Sequence, residues 1–166
     1  MKKKIILYLM AALPIVGCSS QEKKASKQEQ NAQKQTETKS SKDKSSTDGK
    51  VNYLTTADFK LKVMDYEAHP QEWVFAGHRP AVIDFYATWC RPCKMMSPIV
   101  EQLAKQYAGN VDFYKVDIDQ EPKLASVFGI QSIPTFLFIP MKGKPTAQMG
   151  MMEKEEMEKV IKGIQQ

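Results

Sequence analysis

The stretch AVIDFYATWCRPC, residues 81–93, decides the fold of this chain of 166 residues. Its first seven residues are apolar except for Asp84, and such a continuous run is typical of a strand that is buried on both faces of a sheet. Cys90 and Cys93 follow three positions apart, which on a helix is close to one turn. The stretch therefore predicts a buried strand, followed by a helix with one thiol at its N-terminus and a second thiol one turn along.

Strands and helices alternate on both sides of this stretch. Before it, a short strand at 51–54 leads to a helix that Thr55 caps, with Asp58 at the capping-box position. A loop with one helical turn then covers residues 66–80, and Pro98 is expected to kink the helix that follows Cys90. The remaining elements are predicted as strands at 111–116, 135–139 and 145–149 and as helices at 122–128 and 157–164. This order predicts an α/β sandwich with parallel and antiparallel strands.

The first fifty residues do not have the composition of a folded domain. Three lysines precede the apolar run 5–16, whose twelve residues are fewer than the about 20 that a membrane-spanning helix needs. This pattern indicates a secretory signal peptide. Residues 19–50 contain no aromatic residue and no Val, Ile, Leu or Met, so they bury too little apolar surface to become ordered. We therefore predict a signal peptide over 1–17, a flexible polar linker over 18–50 and one domain over 51–166.

Residues 15–18, Ile-Val-Gly-Cys, resemble the bacterial lipobox, the motif that marks cleavage before an acylated cysteine. By that resemblance Cys18 is lipidated and anchors the mature protein to a membrane of the bacterial envelope, facing the periplasm. Ser19 after the cysteine resembles the sorting pattern that favours the outer membrane. The alternative is an ordinary cleavage that leaves Cys18 as a free thiol.

The net charge of +5 does not belong to the predicted domain. Residues 2–4 and the linker are basic, whereas residues 51–166 hold thirteen Lys and Arg against fourteen Asp and Glu. Nucleic-acid binding by the domain therefore lacks an electrostatic basis.

Over about 115 residues the chain resembles the thioredoxin family. Residues 82–94, VIDFYATWCRPCK, resemble the strand and active site of the family, and Pro98 its helix kink. Residues 115–119 resemble its middle strand, residues 129–135 its cis-proline loop, and Gly150 its late glycine. Five matches in the same order are a specific signal, whereas one Cys-x-x-Cys is not. The resemblance implies the thioredoxin fold, a three-layer α/β/α sandwich with a central mixed sheet.

The chemistry of the two thiols follows from their predicted places on the helix. Unpaired N–H groups and the positive end of the helix dipole favour the thiolate of Cys90, the form that attacks disulfides. Cys93 is then placed to attack the mixed disulfide and release the partner protein. The alternative is a static structural disulfide.

Two charged residues are predicted beside the thiols. A carboxylate in a buried strand is costly unless it is protonated or paired. The resemblance implies that Asp84 accepts the proton of Cys93, and that Lys115 on the adjacent strand modulates Asp84. The alternative for Lys115 is a residue whose ammonium simply reaches water.

A substrate surface is implied by the same resemblance. The family's proline at the position of Pro134 follows a cis bond and lies against the sulfurs, and Trp89 flanks the same surface. Arg91 departs from the family's usual glycine, and its charge is expected to stabilise the thiolate of Cys90. The predicted substrate-binding residues are Trp89, Arg91, Pro92, Ile133 and Pro134.

The sequence thus predicts a monomeric thiol–disulfide oxidoreductase of the envelope, a protein-disulfide reductase or isomerase for exported proteins. We expect no metal site and no cofactor beyond the Cys90–Cys93 pair, and a separate protein must donate or accept the electrons. Two alternatives stay open: an oxidase that forms disulfides, and a copper chaperone that uses both cysteines as soft ligands.

Overall fold

The structure is a computed structural model that describes residues 48–166. The predicted signal peptide, Cys18 and the linker up to residue 47 lie outside the described residues. The strands are β1 (Val51–Tyr53), β2 (Ala81–Tyr86), β3 (Asp112–Asp117), β4 (Thr135–Ile139) and β5 (Thr146–Met149). The helices are α1 (Thr56–Lys62), α2 (Arg91–Gln106), α3 (Pro122–Val127) and α4 (Lys154–Ile164).

The strands form one mixed sheet in the order β1-β3-β2-β4-β5. β3 pairs in parallel with β1 and with β2, whereas β4 pairs antiparallel with β2 and with β5. The parallel strands all end at the same edge of the sheet, and residues 87–90 connect β2 to α2 there. This topology places the cysteines at the carboxyl edge of the central strand.

Helices cover both faces of the sheet and make the predicted three layers. One core cluster joins α2 and α4 to the face that carries Val82 and Phe113. The other joins α1 and α3 to the face that carries Ile83 and Phe85. Successive side chains of a strand point to opposite faces, so β2 serves both clusters and is buried almost throughout.

The capping signal that the sequence predicts at the start of α1 is present in the structure. The Thr55 side chain accepts a hydrogen bond from the Asp58 N–H, and the Asp58 carboxylate accepts one from the Thr55 N–H, which completes a capping box. α2 is one α-helix that continues through Pro98.

The segment between α1 and β2 is tied down by its aromatic side chains. Trp73 and Phe75 pack against the core cluster beneath α1 and α3, and Trp73 meets Phe128 edge to face at 6.3 Å. The predicted helical turn is present, because the His69 N–H donates to the Asp65 carbonyl at 3.0 Å.

Asp48, near the end of the predicted linker, contacts the loop before β2. Residues 48–50 form a turn, and the guanidinium of Arg79 joins Asp48 at 2.6 Å and Asp112 at 2.7 Å. Asp48 is therefore held beside the start of β3 through Arg79. Among residues 48–166, no helix combines the length and the apolar character that a bilayer crossing requires.

Candidate active site

Cys90 and Cys93 form a disulfide at the N-terminus of α2, with their Cα atoms 5.3 Å apart. Cys90 is the N-cap residue in an extended conformation, and its Sγ accepts a hydrogen bond from the Cys93 N–H at 3.1 Å. That N–H is one of those that a helix leaves unpaired at its start. In the reduced state the same donor and the helix dipole stabilise a thiolate at Cys90.

The two cysteines form a small buried cluster with Ala87. Cys90 and Cys93 are 3% and 1% exposed, and the partly buried Tyr86, Ile118 and Ile133 pack against this cluster. Burial disfavours a charged thiolate, so the helix terminus has to offset that cost at Cys90.

Trp89 stands at the open side of this site and is 67% exposed. Its Nε1 donates a hydrogen bond to the Asp119 carboxylate at 2.8 Å, which fixes the large ring on the surface beside Cys90. A fixed and exposed aromatic ring is suited to contact with a partner protein.

Asp84 lies on the same face of β2 as Val82, the face that α2 covers, and is fully buried. Neither of its carboxylate oxygens accepts a hydrogen bond from any of residues 48–166. Burial raises the pKa of Asp84 to about 6, while the nearby charge of Lys115 acts in the opposite direction. A carboxyl with this pKa is mostly ionised at neutral pH and is able to take up a proton.

Lys115 is the register partner of Asp84 on β3, and its Nζ lies 3.6 Å from Asp84 Oδ2. This distance is an ion pair but is too long for a hydrogen bond. The ammonium donates instead to Ser97 Oγ at 2.7 Å, and the Ser97 hydroxyl donates to the Cys93 carbonyl at 3.1 Å. A continuous series of contacts thus connects Asp84 with the backbone of Cys93.

The remaining predicted residues are distributed around the same edge of the sheet. Arg91 is exposed and Pro92 half-buried in the first turn of α2. Pro134 is buried, its bond to Ile133 is the cis isomer that the resemblance implies, and its carbonyl accepts from the Gly150 N–H at 2.8 Å. Cys18 lies outside the described residues.

The sequence did not indicate three side chains of the site. Ser97 has a local signal, because it lies one helical turn after Cys93 and (i, i+4) residues share a helix face. Asp119 lies thirty residues from Trp89, and Tyr86 lies under the Lys115 ammonium at 5.0 Å, so both contacts depend on the sheet. Within residues 48–166, no group of three His, Cys, Asp or Glu side chains is arranged to hold a metal ion.

Comparison with known proteins agrees with this geometry. The sequence model of the Thioredoxin family matches residues 51–163. A thioredoxin of Borreliella burgdorferi is 53% identical over 109 residues, which cover 66% of this chain and 92% of that protein. A chloroplastic M-type thioredoxin of Pisum sativum is 42% identical over 94 residues, which cover 56% of this chain and 55% of that protein.

A solved structure supports the same assignment. The thioredoxin of Malassezia sympodialis superposes with a TM-score of 0.56 at 31% identity, over 71% of this chain and 93% of that one. The chain therefore belongs to the thioredoxin family and is a thiol–disulfide oxidoreductase.

Proposed function

We propose that the chain reduces or isomerises disulfides of exported proteins by cycling Cys90 and Cys93 between dithiol and disulfide. The observation that carries this proposal is the position of Cys90 as the N-cap of α2, with its sulfur on the Cys93 N–H. The family acts on disulfide-bonded proteins and works with reductase partners.

In the first step the Cys90 thiolate attacks one sulfur of a substrate disulfide. A bond forms between Cys90 and that sulfur, the substrate S–S bond breaks, and the other substrate sulfur leaves as a thiolate that takes a proton from water. The partner is then held covalently on Cys90.

In the second step the Cys93 sulfur attacks Cys90. The thiol proton of Cys93 passes to the Asp84 carboxylate, the internal disulfide forms, and the bond between Cys90 and the substrate breaks. The second substrate sulfur leaves as a thiolate that takes a proton from water, so the substrate gains two thiols. Two electrons from a separate protein and two protons are then needed to restore the dithiol. Lys115 modulates this step through its charge beside Asp84.

The substrate surface that we propose surrounds Cys90. Trp89 is exposed and hydrogen-bonded to Asp119, and Ile133 packs against the buried cysteine cluster. Arg91 adds a positive charge in the first turn of α2. Pro92 and Pro134 complete this surface. Apolar contacts of this kind, together with main-chain hydrogen bonds, suit a broad range of unfolded segments.

The direction of electron flow distinguishes a reductase from the alternative oxidase. A reductase must be kept reduced by its donor, so in cells that make the protein we expect Cys90 and Cys93 to be mainly thiols. Rapid acid quenching followed by alkylation with a mass-tagged maleimide measures this state, and a Cys90→Ser, Cys93→Ser double variant marks the band without site thiols. A pair that is mainly oxidised in growing cells would instead support the oxidase.

We further propose that the mature chain is a lipoprotein of the bacterial envelope, anchored through Cys18 and facing the periplasm, with the outer membrane favoured. The support for this proposal is the sequence around residues 15–19 and the polar composition of residues 19–50. A tether of that composition leaves the domain free to reach partner proteins.

Lipidation is expected to depend on one residue. A Cys18→Ala variant should incorporate no labelled palmitate, because it lacks the thiol to which the lipid is attached. Cys90→Ala, which removes a different cysteine, should be labelled like the unchanged chain. Equal labelling of the Cys18→Ala variant would contradict the anchor.

A further inference from the structure

The ammonium of Lys115 is held by a neutral partner although a carboxylate lies beside it. Lys115 is 5% exposed and its Nζ is within hydrogen-bond distance of Ser97 Oγ, at 2.7 Å, but 3.6 Å from Asp84 Oδ2. Asp84 accepts no hydrogen bond from any described residue. A buried ion pair of opposite charges gains most when it is also hydrogen-bonded, so the observed arrangement needs a cause.

The cause lies on α2. Ser97 follows Cys93 by one helical turn, and its hydroxyl donates to the Cys93 carbonyl at 3.1 Å. With its proton directed to that carbonyl, Ser97 Oγ presents its lone pairs to Lys115. The Tyr86 ring adds a second attraction, since the ammonium lies 5.0 Å from the ring centroid.

We propose that Ser97 is a positioning residue that keeps the ammonium of Lys115 out of hydrogen-bond distance of Asp84. Removing the hydroxyl leaves Lys115 without this acceptor and frees the ammonium to move the short remaining distance to the carboxylate. The bearing of Ser97 on catalysis rests on the proposed role of Asp84 as the proton acceptor.

Asp84 is surrounded by few other charged groups, and they can be named element by element. From β3 it is faced by Lys115 and, further along the same face, by Asp117, whose register partner is Tyr86. β4 places the apolar Phe136 opposite Asp84, and α4 contributes apolar side chains to this core. The titratable and charged groups around this face are Lys115 and Asp117 on β3, Tyr53 on β1, Tyr86 on β2, Glu101 and Lys105 on α2, and the two cysteines.

Without the Ser97 hydroxyl, the Lys115 ammonium could also turn towards solvent. Lys115 lines two surface cavities, one of about 200 Å³ beside Tyr53 and Tyr86 and one of about 320 Å³ beside Glu101 and Lys105. The attraction to Asp84 is stronger, because the carboxylate is an opposite charge in a buried site where screening is weak.

The test measures the carboxyl pKa of Asp84 by ¹³C NMR in the reduced full-length chain, with Cys18→Ser present throughout. Ser97→Ala is expected to lower this pKa by about one unit, because a hydrogen-bonded cation stabilises the carboxylate. Ser97→Thr retains a hydroxyl and should preserve the original value. Ser126→Ala, at an exposed serine of α3, is the matched control and should leave the pKa unchanged.

A double-mutant cycle makes the inference specific. In a Lys115→Met background, Ser97→Ala should not move the pKa of Asp84, since the effect acts through the ammonium. An unchanged or raised pKa in Ser97→Ala alone, or an equal fall in the Lys115→Met background, would overturn the inference.

The pH profile of turnover separates this inference from the proposed function. If Asp84 accepts the proton, the acidic limb of the Ser97→Ala profile should move to lower pH with the carboxyl pKa. If the pKa moves and the profile does not, the positioning role of Ser97 stands and the catalytic role of Asp84 fails.

Discussion

A Cys90→Ser variant is expected to reduce insulin disulfides no faster than dithiothreitol does alone. The nucleophile in disulfide exchange is a thiolate. A serine hydroxyl in its place does not ionise near neutral pH and cannot form a disulfide. The rest of the site should remain folded, because Ser is a favoured N-cap residue and keeps an acceptor for the Cys93 N–H. The loss would therefore report on chemistry and not on unfolding.

The chain provides its own control for this experiment. Cys18→Ser removes a cysteine outside the domain and should turn over insulin at the rate of the unchanged chain. The measurement is the initial rate of insulin precipitation in the presence of dithiothreitol, with the fold of each variant checked by circular dichroism. Full activity in the Cys90→Ser variant would contradict the assignment of the nucleophile.

Replacing Asp84 by Asn should stabilise the domain at pH 8 far more than at pH 4. Burial raises the pKa of Asp84 from 3.8 to about 6 in the folded chain, so between these values the folded state binds more protons than the unfolded state. The free energy of unfolding therefore falls as the pH rises through this window, and the full cost of the buried charge is present above pH 6. The amide carries no charge at any pH and avoids that cost.

The expected size of this change follows from the shift. The gain in the free energy of unfolding for Asp84→Asn should be about 2–3 kcal/mol larger at pH 8 than at pH 4. Comparing the two pH values removes the constant cost of placing an amide in this core. Urea unfolding of the oxidised chain at a series of pH values gives the curve.

An exposed carboxylate is the control for the Asp84 experiment. Glu72→Gln lies in the loop before β2 and should change stability by less than about 0.5 kcal/mol at either pH. If Asp84→Asn changes the free energy of unfolding by the same amount at pH 4 and pH 8, the folded chain does not raise the pKa of the Asp84 carboxyl. The predicted cost also explains why such a residue indicates function, since a neutral side chain would give a more stable core.

The fold could be predicted from short-range patterns. The apolar run of β2 ends at the turn to Cys90, and the capping box of α1 is a local motif. The apolar residues of α2 are spaced so that they lie on one face of a helix. Each of these features depends on residues that are close in the chain. The contact between Asp48 and Arg79, thirty-one residues apart in the chain, has no such local signal.

The candidate site could be predicted only as far as residue types and the family resemblance extend. Cys90, Cys93, Asp84 and Lys115 were named from the sequence, and the structure places Lys115 beside Asp84 at the carboxyl side of the sheet. The sequence does not show which group accepts the hydrogen bond from the Lys115 ammonium, because Ser97 and Asp84 lie on different elements that meet only in the packed fold. Asp119, the hydrogen-bond partner of Trp89, could not be predicted for the same reason.

The order of attack is the central claim, and trapping the mixed disulfide tests it most directly. In a Cys18→Ser background, reduced Cys93→Ser chain should form a covalent adduct with insulin that dithiothreitol releases and that peptide mass spectrometry maps to Cys90. Reduced Cys90→Ser chain should form little adduct under the same conditions. An adduct on Cys93 in equal yield, or no adduct with Cys93→Ser, would contradict the account in which Cys90 attacks and Cys93 resolves.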